Sequence, residues 1–416
     1  MLDCLDRVNY YCFEGRKQFD RNFRALVAGG GTGDTAIFLA EQLRDYGAEV
    51  VYLDISKTSM DIAQRRAAVR GLNNIKWVLG SILDAHSLGL GKFDYINSCG
   101  VLHHLEDPGQ GLSAIASVLK EDGAMGIMVY ATYGRAAIYM IQDLMRMINR
   151  DEPDMHNKVE HCGKVLDLLP ETHWFMHEKK LSPNWKYKKP IELYDLFLHT
   201  QDRAYTIPEL YEYVESNDLH IQHLCLYGSD ERGNNIYDPR SYIQDDKLLG
   251  AIIELPDREQ QAIAELLHGK ISTHSFYVTK QPRPLPSTDD LDNIPYLDIF
   301  TGPEEYKALY AQVQHSLNNV ELKRGSPEYT INFDKTENCE GIFKYLNGKT
   351  TLGGIFKKIM ASQKYRKSHP TIPKLQKEFL HIFTAFNTYE WMFLRSKEVK
   401  HPITVSDIQT RLSNTL

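Results

Sequence analysis

Residues 29–33 read Gly29-Gly30-Gly31-Thr32-Gly33. They lie between the apolar run Ala25-Leu26-Val27-Ala28 and a segment with apolar residues at helical spacing: Ile37, Phe38, Leu39, Ala40 and Leu43. A short apolar run without alternation is the pattern of a strand covered on both faces, which is the situation of a parallel sheet. Glycines directly after such a strand let the backbone turn sharply and approach a ligand with no side chain between. The helix that follows offers free N-terminal amides, which favour a carboxylate. This one feature confines the chain to an α/β fold with a ligand crevice beyond its first strand.

The next 100 residues repeat the alternation. Strands are predicted over 49–54, 75–79, 93–98 and 124–130, and helices over 35–46, 57–70 and 112–119. That order predicts a Rossmann-like, doubly wound sheet. After Gly134 the pattern changes. Residues 136–148 have helical spacing, 151–189 are irregular, and Thr206-Ile207-Pro208-Glu209 is a capping box opening a helix over 209–216. Two further strands are predicted over 219–226 and 275–280. Residues 135–218 are therefore expected to be a helical insertion between the fifth and sixth strands, on the acceptor side of a first domain spanning 1–280. The proline- and aspartate-rich stretch 281–300 reads as a linker. Three short helices and a strand (341–346, 351–360, 373–386, 391–394) suggest that 301–416 is a winged-helix-like α+β recognition or docking domain.

Charge divides the chain in the same place. Residues 301–416 hold 17 basic and 11 acidic side chains, a net of +6, against −13 for residues 1–300. The acidic body makes nucleic acid an unfavourable partner, and the basic tail could meet a protein. No apolar run approaches the ~20 residues that span a membrane. The first residues show no basic stretch followed by an apolar one, and the six cysteines are scattered without a CxxC pair. These features are those expected of a cytoplasmic chain with reduced thiols and no bound metal.

The chemistry turns on Asp54, which ends the second strand, 21 positions beyond Gly33. A carboxylate there can accept both hydroxyls of a ribose. Nicotinamide enzymes use the same device, but the dinucleotide fingerprint begun at Gly29 needs a sixth-position glycine where this chain has Asp34. The G-x-G-x-G pattern favours a cofactor without a pyrophosphate, which sets an NAD-dependent oxidoreductase aside.

Over residues 20–135 the chain resembles the class I S-adenosylmethionine-dependent methyltransferases. Gly29 to Gly33 resemble the glycine motif that wraps the methionine part of the cofactor. Asp54-Ile55-Ser56 resemble the ribose-binding acid and its successors, and Gly80-Ser81-Ile82 stand where the family reads Gly-Asp-x beside the adenine. The run 93–105 resembles the fourth-strand motif, and 118–123 the turn before the fifth strand. The resemblance implies that Gly29, Gly30, Gly31, Thr32, Gly33, Asp54, Ile55, Ser81, Ile82, Ser98, Cys99 and Gly100 bind S-adenosylmethionine. Two positions depart from the pattern: Val27 replaces an acid common in the family, and Ser81 replaces the adenine-side Asp.

His103 and His104 follow the fourth strand and are the candidate catalytic residues, since a neutral imidazole suits proton removal near pH 7. The competing reading is that both only hold the loop. Tyr130, Tyr133 and Tyr139 follow the fifth strand, where an acceptor would lie and where an aromatic face could hold a cation. Residues 133–139 and 198–206 resemble segments of an uncharacterised methyltransferase branch, sometimes fused to tetratricopeptide repeats. That adds Arg135, His199, Asp202 and Arg203 as acceptor-side candidates, against a salt-bridged lid. The expected function is methyl transfer to an O or N nucleophile of a small-molecule or peptide acceptor. The alternative is a non-catalytic cofactor-binding regulator or scaffold.

Overall fold

The computed structural model describes residues 4–176, 189–226, 235–298, 303–324 and 329–400. Eight strands form the central sheet: β1 (Arg24–Ala28), β2 (Glu49–Asp54), β3 (Ile75–Leu79), β4 (Phe93–Cys99), β5 (Leu119–Ala131), β6 (Ala204–Tyr205), β7 (His220–Leu224) and β8 (Thr273–Thr279). Their order is β3-β2-β1-β4-β5-β8-β7, with β6 paired to the end of β5. β1 to β5 run parallel, and β8 is antiparallel to both β5 and β7. The strand order reverses at β1, which lies between β2 and β4. Loops leaving β1 and β4 there part in opposite directions and open a crevice at the strands' carboxyl ends.

Successive residues of β1 face opposite sides, as the two-residue period requires. Leu26 and Ala28 enter one apolar cluster with Val51, Leu53 and Ile96, while Ala25 and Val27 enter another with Val50, Tyr52 and Tyr95. Helices α2 (Asp34–Leu43), α3 (Lys57–Val69) and α4 (Pro108–Ser117) connect the first strands. The expected helix 112–119 begins earlier and ends earlier, because Asp107 caps it, accepting from the Gln110 amide at 3.1 Å, and Pro108 starts it. β5 then begins at Leu119, ahead of the expected 124.

The chain leaves β5 at its carboxyl end, forms α5 (Ala136–Ile148), α6 (Met155–Leu168) and α7 (Pro190–Phe197), and returns through β6, where Tyr130 pairs with Ala204. These helices bury a small core of their own, including Ile141, Met145, Cys162, Phe175 and Phe197.

The stretch read as a linker contains β9 (Asn293–Leu297). It pairs antiparallel with β12 (Met392–Ser396), some hundred residues later. The three tail helices are present (Cys339–Tyr345, Leu352–Ala361, Ile372–Asn387). The hairpin of β10 (Asn319–Arg324) and β11 (Tyr329–Asp334) precedes them, whereas a wing would follow the third helix. The tail shares its apolar cluster with the N-terminal helix α1 (Leu5–Cys12): the Tyr10 ring lies 5.0 Å from that of Phe393. Arg7 of α1 pairs with Asp298 at 3.0 Å and Glu390 at 3.2 Å, and Glu390 reaches His223 of β7 at 2.6 Å. No helix among the described residues is long and apolar enough to cross a membrane.

Candidate cofactor and acceptor site

The glycine loop is held from below by β2. The Gly29 and Gly30 amides donate to the Leu53 carbonyl at 2.8 and 3.1 Å, and the Tyr52 hydroxyl donates to the Gly31 carbonyl at 2.6 Å. A Cβ on Gly30 would lie 2.2 Å from the Tyr52 ring, so only glycine fits over that tyrosine. Gly31 has φ +51°, and a Cβ there would meet nothing within 4 Å. Its free side is the crevice. Asp54 closes the turn from the next strand end. Its Oδ2 accepts the Gly31 N–H at 2.7 Å and its Oδ1 the Ser56 N–H at 2.7 Å. Each carboxylate oxygen has two lone pairs, so both retain capacity for a ligand hydroxyl. Burial and the Asp54 charge raise the Tyr52 phenol above its ordinary value, so it stays a donor.

The rest of the crevice follows the strand ends. Ile55 is 74% exposed, an apolar side chain at the rim without a covering partner. Ser81 caps a short 3₁₀ turn, its Oγ accepting from the Leu83 amide at 3.2 Å, and Ile82 beneath it is buried. Ser98 ends β4 fully buried, and its Oγ has no hydrogen-bond partner among the described residues. Cys99 is half-buried, and the Gly100 amide donates to Met128 of β5 at 3.1 Å. Val101 packs on Gly29, where a Cβ would be 2.4 Å from Cγ2. That contact sets the His103–His104 turn beside the glycine loop.

His103 is fully buried against Tyr130, with ring centroids 3.9 Å apart. Neither ring nitrogen has a partner among the described residues. Burial, helped by His104, Arg135 and His199, pushes its pKa down to about 2, so it stays neutral. His104 is half-buried. Its Nδ1 lies 3.1 Å from the Gln201 carbonyl, and its ring lies against that of His199, tilted by 35° with centroids 4.0 Å apart. Burial lowers its pKa too, partly offset by the Gln201 carbonyl.

The acceptor-side candidates divide. Arg135 is buried, pairs with Asp202 at 3.2 Å and lies 3.4 Å above the Tyr130 ring. Tyr139 donates to the other Asp202 oxygen at 2.9 Å, and Gln142 Nε2 donates to Asp202 at 3.1 Å. This desolvated group, in which Arg135 Nε has no hydrogen-bond partner among the described residues, locks α5 to the returning strand. Tyr133 and Arg203 are exposed, with the Arg203 guanidinium over Tyr205 at 4.9 Å and its amide bonded to the His103 carbonyl at 3.0 Å. A cleft of about 280 Å³ lies here, lined by His103, Glu106, Arg146, Gln201, Asp202 and Arg203, among others. Tyr52, Gln142 and Gln201 escaped the sequence reading. Tyr52 had a signal: it stands two residues before Asp54 on the same face of one strand. Among the described residues no three His, Cys, Asp or Glu side chains are grouped to hold a metal.

Residues 26–125 match a family model described as a methyltransferase domain. These residues, about a quarter of the chain, form a methyltransferase domain. The chain is 29% identical over 296 residues to an uncharacterised protein of Synechococcus sp., covering 69% of this chain and 66% of that one. It is 32% identical over 115 residues to the tRNA 5-carboxymethoxyuridine methyltransferase of Escherichia coli K12, covering 27% of this chain and 42% of that enzyme. The chain thus spans about two thirds of the first relative and under half of the second. The structure of PKMT2 from Rickettsia typhi in complex with AdoHcy superposes with a TM-score of 0.62 at 16% identity, over 94% of this chain and 75% of that one. The likeness of fold therefore runs through the tail of this methyltransferase as well. Its cofactor is S-adenosylmethionine, and the crevice suits it: open space before Gly31, the Asp54 carboxylate at the end of β2, an exposed aliphatic at the rim and a buried Ser98 hydroxyl with no hydrogen-bond partner among the described residues.

Proposed function

We propose that this methyltransferase moves a methyl group from S-adenosylmethionine to an O or N nucleophile of a small-molecule or peptide acceptor entering between the β4 loop and the insertion. The supporting observation is that the Val101–Gly29 contact sets the His103–His104 turn beside the cofactor loop, with His103 lining a cleft and the half-buried His104 next to it in the same turn. In this reading Asp54 binds the ribose and Ile55, Ser81 and Ile82 border the adenine. The glycine loop with Ser98, Cys99 and Gly100 takes the methionine part. The cofactor supplies a methyl group on a sulfonium, open to in-line displacement. The protein contributes position, water exclusion and a proton acceptor. His104 is the proton acceptor, because burial lowers its pKa and keeps it neutral near pH 7 while its ring is only half-buried. His103 is a packing residue, because its buried ring resists protonation at any physiological pH. Arg135, Tyr139 and Asp202 hold the lid, and Tyr133, His199 and Arg203 face the acceptor.

The test is release of S-adenosylhomocysteine by the purified chain given the cofactor and candidate acceptors. Turnover that disappears in His104→Gln, with cofactor binding unchanged, supports the reading. Tight cofactor binding with no turnover on any acceptor would favour a regulator or scaffold instead.

A further inference from the structure

His104 and His199 are tied to the same residue. The Nδ1 of His104 lies 3.1 Å from the Gln201 carbonyl oxygen, and the Nδ1 of His199 accepts the Gln201 backbone N–H at 3.3 Å. A carbonyl can only accept, so in a neutral His104 the proton sits on Nδ1 and Nε2 keeps its lone pair. A backbone N–H can only donate, so His199 has its lone pair at Nδ1 and its proton on Nε2. The two rings lie against each other with centroids 4.0 Å apart and planes tilted by 35°. Both are anchored through Nδ1 to one residue, so both Nε2 atoms point away from it. One is a proton acceptor and the other a donor.

That pairing has a chemical reading, which rests on the methyltransferase proposal above. A hydrogen bond donated to the reacting atom would withdraw the electrons it needs for attack. The His199 N–H is therefore useful on a second, non-reacting atom that can accept. A simple amine attacks through its one nitrogen lone pair and offers no second acceptor for the His199 N–H. We propose that the acceptor is a hydroxyl compound bearing a second oxygen on the neighbouring carbon, with His104 as base for the reacting hydroxyl and His199 as donor to its neighbour. The acceptor oxygen forms the new bond to carbon and gives its proton to His104 Nε2. The carbon–sulfur bond that breaks leaves its electron pair on sulfur. The groups around His104 are His103 from its own turn, Tyr130 from β5, Asp195 from α7, and His199 and Asp202 from the returning segment. Its two acids lie on the lid, and Asp202 is already paired with Arg135.

Two measurements on the full chain test this. Nitrogen-15 histidine NMR at pH 7, assigned by loss of signals in His104→Gln and His199→Gln, is expected to show a proton on Nδ1 of His104 and on Nε2 of His199. A proton on Nε2 of neutral His104 overturns the pairing. Methylation is then compared for catechol, phenol and benzylamine as probes. Catechol is expected to react at least ~10-fold faster than phenol, the worth of one hydrogen bond of about 1.4 kcal/mol, and benzylamine not at all. His199→Phe is expected to erase the catechol preference in kcat/KM. His104→Gln is expected to lower kcat on catechol by ~10²–10⁴ and to abolish the fall of rate on acidification. Preference for benzylamine, equal rates on phenol and catechol, or no turnover of the three by a chain that binds cofactor overturns the acceptor class and leaves the methyltransferase reading in place. A folded chain that binds no S-adenosylmethionine overturns that underlying reading.

Discussion

Asp54 is asked to do two things, and substitution separates them. Its two oxygens each accept a backbone amide at 2.7 Å, from Gly31 in the glycine loop and from Ser56 at the cap of α3. A hydrogen bond to a charged group contributes about 1.5–3 kcal/mol when fully buried. Here Gly31, Asp54 and Ser56 are half-buried, so water can replace the lost partner and each bond contributes less than that range, about 1 kcal/mol. Asp54→Asn keeps one acceptor oxygen and loses one amide bond. Asp54→Ala loses both, for roughly 2 kcal/mol of stability. If the carboxylate also receives ribose hydroxyls, S-adenosylhomocysteine binding falls by a further ~1–3 kcal/mol in Asp54→Ala, about 5- to 150-fold in Kd. Urea unfolding reads the first quantity and isothermal calorimetry the second. A folded Asp54→Ala protein that binds within twofold of the parent would refute the ribose role. A loss of stability without any loss of affinity would reduce Asp54 to a loop staple.

Three further outcomes follow from the same geometry. Gly30→Ala is expected to destabilise the fold, because its methyl meets the Tyr52 ring, whereas Gly31→Val is expected to cost about 1–3 kcal/mol through its left-handed backbone and to abolish cofactor binding, because its side chain enters open crevice; melting curves and calorimetry on both variants check this. His103 is neutral in the folded protein down to about pH 2, while in the unfolded chain it protonates near 6.5. The unfolded state therefore gains the proton first, and stability falls with acid by about 1.4 kcal/mol per pH unit below 6.5, or roughly 2 kcal/mol at pH 5. Urea midpoints of His103→Phe that show the same acid dependence as the parent would contradict this. Removal of residues 286–416 strips β12 and β9 from α1 and exposes Tyr10 and Tyr11, so the shortened chain is expected to lose solubility, which size-exclusion chromatography reads directly.

What could be read from the sequence was local. The glycine run, the strand before it, the helix after it and Asp54 are all specified within 30 residues. Their chemistry depends on backbone conformations that neighbouring residues dictate. The lid's core network was legible only as a set of polar residues. Arg135 and Asp202 are 67 positions apart, and nothing in their spacing tells a buried pair from an acceptor site. Gln201 was invisible because its role lies in its main chain. The β9–β12 pair joins segments about a hundred residues apart, and a proline at 295 within a short run reads as linker until its partner strand is known. Ser81 and Ile82 stood at the right place in the motif, but the burial of Ile82 under the Ser81 turn depends on packing against the sheet.

The central claim is that the crevice beyond β1 belongs to S-adenosylmethionine. Isothermal calorimetry on the full chain, with S-adenosylmethionine, S-adenosylhomocysteine and NAD as separate titrants, tests it most directly. One-to-one binding of both sulfur nucleosides with no heat from NAD is the predicted result. Binding of NAD, with no response to either sulfur nucleoside, would contradict it.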